Sequence, residues 1–354
     1  MLHPGSIPIS LHKARSPGRW RWGLRWRQVL AVGLCALAVQ GVAAESPPLL
    51  LVQPMDRTPV GNVVAQHFAY WMPHYLGEKA VLHRPSNGQG LDGIAWAARA
   101  APPERTLVLM TQLWLSRLDA LPPSNPGARG WVPLQIVLQG TWCLMAPEAR
   151  NLPDFAALQA WLRTLRRPVR LGLPHSFGFP ELWMQAMARK TGLPWAATTF
   201  GTAHQAIQSL AAGQVDLVLD RCGDTAQYLG SQSERARTGH LAVQVLARVG
   251  TPTPLAAATF TQWQLPPLPP GWMAWFAPAG MSAARQEAVG RALHAILLRD
   301  DTQALIAAQQ QQPVRMSVAD SQRFVRRSQV QGESLRRWLE RSADPLLEMD
   351  SLAP

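Results

Sequence analysis

The chain has 354 residues, of which 47% are hydrophobic and 16% are charged, and its formal net charge is +12. At about 150 residues per domain this length predicts two domains, and the composition excludes a single small module and wholesale disorder. Six of the cations precede the first acid, Glu45, so the remaining 28 cations and 22 acids leave a balance of +6. A surplus this small argues against a nucleic-acid partner and favours small anions.

The first 44 residues have the order of a secretory signal peptide. A basic, tryptophan-rich stretch precedes the apolar run VLAVGLCALAV (Val29 to Val39), and small residues follow up to Ala44. We therefore predict a signal peptide over residues 1–44, cleaved near Ala44, and a periplasmic protein. The alternative is an uncleaved amphipathic anchor, because the basic part is long enough to lie on a membrane surface.

The rest of the chain alternates short apolar runs rich in Val and Leu with stretches of helical spacing. This alternation is typical of βα units with a parallel sheet and predicts an α/β fold. Strands are predicted at 49–54, 79–84, 106–110, 141–145, 169–173, 215–220, 241–247 and 272–278. Helices are predicted at 62–75, 94–99 and 203–212, and from about residues 154, 181, 282, 300 and 317.

Two cysteines, Cys143 and Cys222, follow the leader. In an oxidising compartment they could form a disulfide, or they could remain two inert buried thiols. The sequence leaves both alternatives open.

Three strings resemble one family in their wording and order. They are AAGQVDLVLD (Ala211 to Asp220), WFAPAGMS (Trp275 to Ser282) and HRPSNGQGLDG (His83 to Gly93). Together they resemble the Bug-type extracytoplasmic solute receptors of the tripartite tricarboxylate transporter system, over about Leu49 to Leu339. The chain would be a divergent member of that family.

The resemblance implies two Rossmann-like α/β domains joined by a hinge, the Venus flytrap architecture of periplasmic binding proteins. Domain 1 would comprise residues 46–145 plus 272–345, and domain 2 residues 146–271, with the ligand cleft between them. The implied function is capture of a small carboxylate or related anion for a membrane transporter, by a monomer without cofactor or catalysis. The alternative is a sensor or orphan receptor that reports occupancy to a membrane signalling partner.

Ligands of open α/β sheets bind at the carboxyl ends of strands, where the N–H groups of helix N-termini can hold an anion. Four turns qualify here, at 58–62, 87–90, 175–178 and 200–203, together with two strand ends. The candidate ligand-binding residues are Thr58, Gly61, Asn62, Asn87, Gly88, Thr111, His175, Ser176, Phe177, Gly178, Thr202, Ala203, Asp220 and Arg221. Several of these are equally compatible with ordinary helix caps or strand-end residues.

Three positions depart from the family pattern. Asn62 stands where the family has an Asp at the start of the first helix, Glu181 where it often has a His, and Arg221 where it often has an Asn. Arg221 could bind a ligand carboxylate with its guanidinium. It could also pair with Glu181 or with Asp224.

Competing functions have weaker support. GQGLDG (Gly88 to Gly93) fits a dinucleotide-binding pattern, but it follows the second strand and no acid lies about 20 residues further on. Ser176 lacks the flanking glycines of a hydrolase nucleophile. His67 and His74 lack a third metal ligand, and the 15 tryptophans are expected mainly in the leader and the core. The sequence therefore predicts no catalytic residue and no metal site.

Overall fold

The computed structural model describes residues 47–54, 59–85, 90–118, 121–128, 130–174, 178–225, 243–249, 258–266, 268–309 and 311–341. No helix in these ranges is both long and apolar enough to cross a membrane.

Twelve strands of the described chain form two sheets. They are β1 (Leu49–Val52), β2 (Ala80–His83), β3 (Thr106–Thr111), β4 (Trp131–Gly140), β5 (Trp142–Pro147), β6 (Val169–Leu173), β7 (Trp195–Thr199), β8 (Leu217–Arg221), β9 (Val243–Arg248), β10 (Ala258–Thr259), β11 (Gly271–Pro278) and β12 (Gln312–Pro313). The first sheet has the order β12-β4-β11-β3-β1-β2, and the second has the order β10-β9-β5-β8-β6-β7.

Each sheet contains three neighbouring parallel strands. In the first sheet β1 pairs in parallel with β2 and β3, and in the second β6 pairs in parallel with β7 and β8. The strands on the other side, β11 and β4 in the first sheet and β5 and β9 in the second, pair antiparallel. The two sheets therefore repeat one plan, with a parallel half that can carry a ligand site.

Ten α-helices of the described chain surround the sheets. They are α1 (Pro59–Leu76), α2 (Leu91–Ala100), α3 (Gln112–Leu118), α4 (Phe155–Arg163), α5 (Phe179–Thr191), α6 (Ala203–Ala211), α7 (Cys222–Thr225), α8 (Ala283–Leu297), α9 (Asp300–Ala308) and α10 (Val318–Arg341).

Helix ends follow local chemistry. The side chain of Asp154 accepts a hydrogen bond from the Ala157 N–H at the start of α4, as expected of an N-cap. Gly77 follows α1 with φ of +73°, a conformation that favours glycine at a helix end. Pro73 lies inside α1, and the helix continues past it to Leu76.

Two main apolar clusters form the core, one on each sheet. Leu51, Phe68 and Trp275 are among the buried residues of the first cluster, in which the rings of Phe68 and Trp275 lie 6.1 Å apart. The second cluster packs α4 and α5 on the second sheet and includes Leu171 and Trp183. The predicted α/β class with two domains is confirmed.

The sequence reading overlooked β4, α3 and β7. In β4 the pattern is interrupted by Pro133, which cannot donate a ladder hydrogen bond. The strand tolerates it because β12 pairs only with Leu138 and Gln139, at the far end of β4. In the described chain Pro133 therefore has a strand partner on one side alone, at Phe276 of β11.

Thr141 alone separates the last strand residue of the first sheet, Gly140, from the first of the second sheet, Trp142. The predicted boundary after Met145 falls inside β5, so we place the first crossing at Thr141. We place the return at Gly271, where β11 begins in register with Gly140.

A disulfide joins Cys143 of β5 to Cys222 at the start of α7. Both half-cystines are buried. Of the two alternatives that the sequence left open, the structure therefore contains the bridge.

Candidate functional site

The parallel halves of the two sheets, β2-β1-β3 and β7-β6-β8, each contain a topological switch point. The chain leaves the central strand, crosses to one side and later returns on the other, so connections diverge from the carboxyl ends of β1 and β3, and of β6 and β8. Crevices at such points are the usual ligand sites of α/β sheets.

The described candidate residues lie at these edges in two groups. At the first sheet, Gly61 and Asn62 lie in the first turn of α1, and Thr111 ends β3. At the second sheet stand Gly178, Thr202, Ala203, Asp220 and Arg221. Thr58, Asn87, Gly88, His175, Ser176 and Phe177 lie outside the described residues, so their ligand roles stay predictions.

Two helix starts at the second sheet differ in how they are capped. The hydroxyl of Thr202 accepts a hydrogen bond from the Gln205 N–H at the start of α6. Gly178 precedes α5 without a side-chain cap and with φ of +76°. The first N–H groups of α5 therefore receive no side-chain oxygen from their own N-cap residue, which suits an anion-binding role.

At the first sheet, three polar side chains form a chain of hydrogen bonds that the sequence reading did not include. The Gln53 amide nitrogen donates to Oδ1 of Asn62 over 3.0 Å, and the Arg84 Nε donates to Oε1 of Gln53 over 3.0 Å. Gln53 is 1% exposed, whereas Arg84 is exposed. We call Gln53, Asn62 and Arg84 the edge triad.

At the second sheet, Asp220 is a buried carboxyl group at the end of β8. Its side chain is 4% exposed and accepts a hydrogen bond of 2.7 Å from the Arg221 backbone N–H. Burial, reinforced by the charge of Asp224 and opposed by that of Arg221, raises the pKa of Asp220 to about 7. This carboxyl group can therefore change its charge near neutral pH.

The Arg221 guanidinium forms an ion pair with Asp224 of α7. Both side chains are largely buried, at 16% and 11% exposure. Of the two protein partners considered from the sequence, the structure pairs Arg221 with Asp224. The stem of Arg221 lies close to Gly140 and Gly271, at the two crossings between the sheets. Its proposed contact with a ligand stays a prediction.

A pocket of about 270 Å³ lies between elements of both sheets and the long helix α10. Its lining includes Gln112 of α3, Gly178 and Phe179 at the start of α5, Trp272 of β11, and Ser328 and Arg336 of α10. Gly178 is the one predicted site residue in this lining. No local motif marks the other residues, because they meet through packing of distant parts of the chain.

Hydrogen bonds hold the polar wall of the pocket. The Gln112 amide nitrogen and the Trp272 indole nitrogen both donate to the hydroxyl oxygen of Ser328, at 3.1 and 3.0 Å. The other polar atom of the Gln112 amide is buried and has no hydrogen-bond partner among the described residues.

The residues behind the competing functions have packing roles. A β-carbon at Gly90 would overlap the indole of Trp114, so packing requires a glycine within GQGLDG. His67 bonds to the hydroxyl of Thr302 at 2.7 Å. No group of three potential metal ligands occurs among the described residues.

No protein-family model matches the chain, and no curated protein matches its sequence. Solved structures do match its fold. The periplasmic binding protein BugD has a TM-score of 0.64 at 18% identity, covering 83% of this chain and 97% of BugD. A Rhodopseudomonas palustris protein solved with adipate has a TM-score of 0.64 at 17% identity, covering 83% and 97% of the two chains.

MatC from Rhodopseudomonas palustris, with bound malate, gives a TM-score of 0.63 at 16% identity and covers 81% of this chain and 98% of MatC. At these identities the likeness shows the fold, which is that of two-domain solute-binding proteins. The resemblance inferred from the sequence is confirmed at that level.

Proposed function

We propose that this chain, which has the fold of the BugD and TctC solute-binding proteins, is a periplasmic receptor that captures a small carboxylate between its two domains. The observation that carries the proposal is the arrangement of N–H donors at the carboxyl edges of both parallel half-sheets. Gly178 precedes α5 without a side-chain cap, and Arg84 and Asn62 stand at the first sheet. Two neighbours of the fold were solved with adipate and malate.

Helix N-termini and a guanidinium can bind a carboxylate without a metal or a cofactor. Each charge-assisted hydrogen bond contributes about 1.5 to 3 kcal/mol. Three or four such bonds, less the cost of ordering, suffice for micromolar affinity, which requires about 8 kcal/mol. The proposed activity is therefore reversible binding, and the ligand should leave the protein chemically unchanged.

The binding experiment is a thermal-shift screen of the purified protein against succinate, malate, adipate, citrate, amino acids and aromatic acids, followed by calorimetry. A ligand that binds the folded state raises the melting temperature by mass action. Recovery of unchanged ligand after incubation is expected. Turnover of a ligand, or no shift with any anion, would refute the proposal.

We further propose delivery of the ligand to a tripartite tricarboxylate-type transporter by the exported monomer. Deleting the encoding sequence should then abolish uptake of the bound carboxylate. Unchanged uptake with a lost transcriptional response would favour the sensor alternative. Mass spectrometry should find an N-terminus at Glu45 and a monomer mass.

A further inference from the structure

We propose that the edge triad is a carboxylate-binding element of the first domain, in which Arg84 and Asn62 contact the ligand and Gln53 is a positioning residue. This inference rests on the proposed function and names the ligand group that this edge accepts. It also gives a role to Asn62, which replaces the Asp of the family pattern.

Strand register brings the triad together. β1 and β2 are parallel, and Val52 is the partner of His83. The next residues, Gln53 and Arg84, therefore leave adjacent strands side by side at the carboxyl edge. The Gln53 backbone N–H continues the ladder by donating to the carbonyl of His83 over 3.0 Å, so the two side chains start from a fixed separation.

The polarity of the triad follows from donor chemistry. An arginine side chain can only donate, so Gln53 must present its carbonyl oxygen to Nε of Arg84. Its amide nitrogen must then face Asn62, which has to accept with Oδ1. One guanidinium thereby fixes the orientation of two amides.

This orientation leaves nitrogen donors at the end of each side chain. The terminal nitrogens of Arg84 and the amide nitrogen of Asn62 have no hydrogen-bond partner in the described chain. The three residues contain no carboxylate, and Gln53, which aligns the others, is buried. An element that offers only donors and one positive charge suits a carboxylate and disfavours an ammonium group.

Asn62→Asp is the sharpest variant, because an aspartate can still accept the hydrogen bond from Gln53. It replaces a neutral donor with a negative acceptor of nearly the same shape. We therefore expect a local fold close to that of the parent protein and repulsion of a ligand carboxylate.

The test is calorimetry with succinate, malate, adipate and citrate on the parent protein, Arg84→Gln, Asn62→Asp and the control Arg99→Gln. Arg99 is an exposed cation in the last turn of α2. Losing one charge-assisted contact should raise Kd roughly 10- to 100-fold in Arg84→Gln and Asn62→Asp, with little change in Arg99→Gln. The affinity of Asn62→Asp should recover as the pH falls to about 4, where an ordinary Asp becomes protonated. A merely structural defect would not recover in this way.

The outcomes separate the two proposals. If the parent binds a carboxylate and both triad variants bind it equally well, the edge-triad inference is overturned and the proposed function stands. If the parent binds none of the four acids, both are overturned. Weaker binding by both variants, with pH recovery for Asn62→Asp, supports both.

Discussion

Gly332 of α10 lies directly against the ring of Phe179 at the start of α5, and a β-carbon at position 332 would overlap that ring. Both residues line the pocket. Further along α10, Leu335, Trp338 and Leu339 pack against Ala186 of α5, whereas Ser321, near its start, bonds to Ile136 of the first sheet. One helix therefore contacts both halves of the molecule.

Gly332→Ala should destabilise the protein. A Gly to Ala change inside a helix ordinarily stabilises it by about 1 kcal/mol, but here the added methyl group has to displace Phe179. Overpacking of this kind costs about 1 to 3 kcal/mol. Denaturant unfolding measures the difference, and Val330→Ala, at a position 55% exposed, is the control on the same helix. A stabilised Gly332→Ala would contradict the contact with Phe179.

Asp220→Asn should change how stability depends on pH. Because the pKa of Asp220 is raised to about 7 in the folded protein, the folded state holds a proton that the unfolded state releases near pH 4. The contribution of Asp220 to stability is thus fully present below pH 4 and is lost as the pH rises towards 7. The asparagine variant should gain stability relative to the parent over this window.

Melting temperatures from pH 4 to 8 test this prediction, with the exposed Asp92→Asn as the control. Asparagine can still accept the hydrogen bond from the Arg221 N–H, so the turn should persist. A constant difference between Asp220→Asn and the parent at every pH would rule out an elevated pKa.

Arg221→Ala should lower the stability of the empty protein. It removes the partner of Asp224, which is 11% exposed, and leaves two neighbouring carboxyl groups without their cation. Loss of one partner from a largely buried ion pair costs about 2 to 3 kcal/mol. Adding Asp224→Asn should restore part of the loss, which a double-mutant cycle measures. Intact stability with a tenfold loss of carboxylate affinity would instead assign Arg221 to the ligand.

Removing the disulfide should destabilise the chain without changing its sheet order. Cys143 and Cys222 are 79 residues apart, and closing a loop of that size is worth about 4 kcal/mol in the chain-entropy model. The double variant Cys143→Ser with Cys222→Ser should unfold at lower denaturant and be insensitive to reductant. Alkylation of both cysteines in the unreduced parent would contradict the bridge.

Local pattern was sufficient for much of the fold. The apolar runs that became β1, β3, β6 and β8, the caps Asp154 and Thr202, and the helix-ending Gly77 are visible in the sequence, because each depends on a few neighbouring residues. β4 escaped this reading since Pro133 is tolerated by its sheet neighbours alone, and β7, exposed over most of its length, lacks a buried apolar run.

The candidate site divides in the same way. The sequence by itself determined the α/β class, the turns at the carboxyl edges and the candidates Asn62, Gly178 and Asp220, because strand ends and helix starts have local signatures. Only the tertiary structure decided that Arg221 pairs with Asp224, that the two cysteines join, and that Gln53 aligns Arg84 with Asn62. These choices depend on strand register and on packing between segments far apart in the chain, and short-range residue patterns do not encode either.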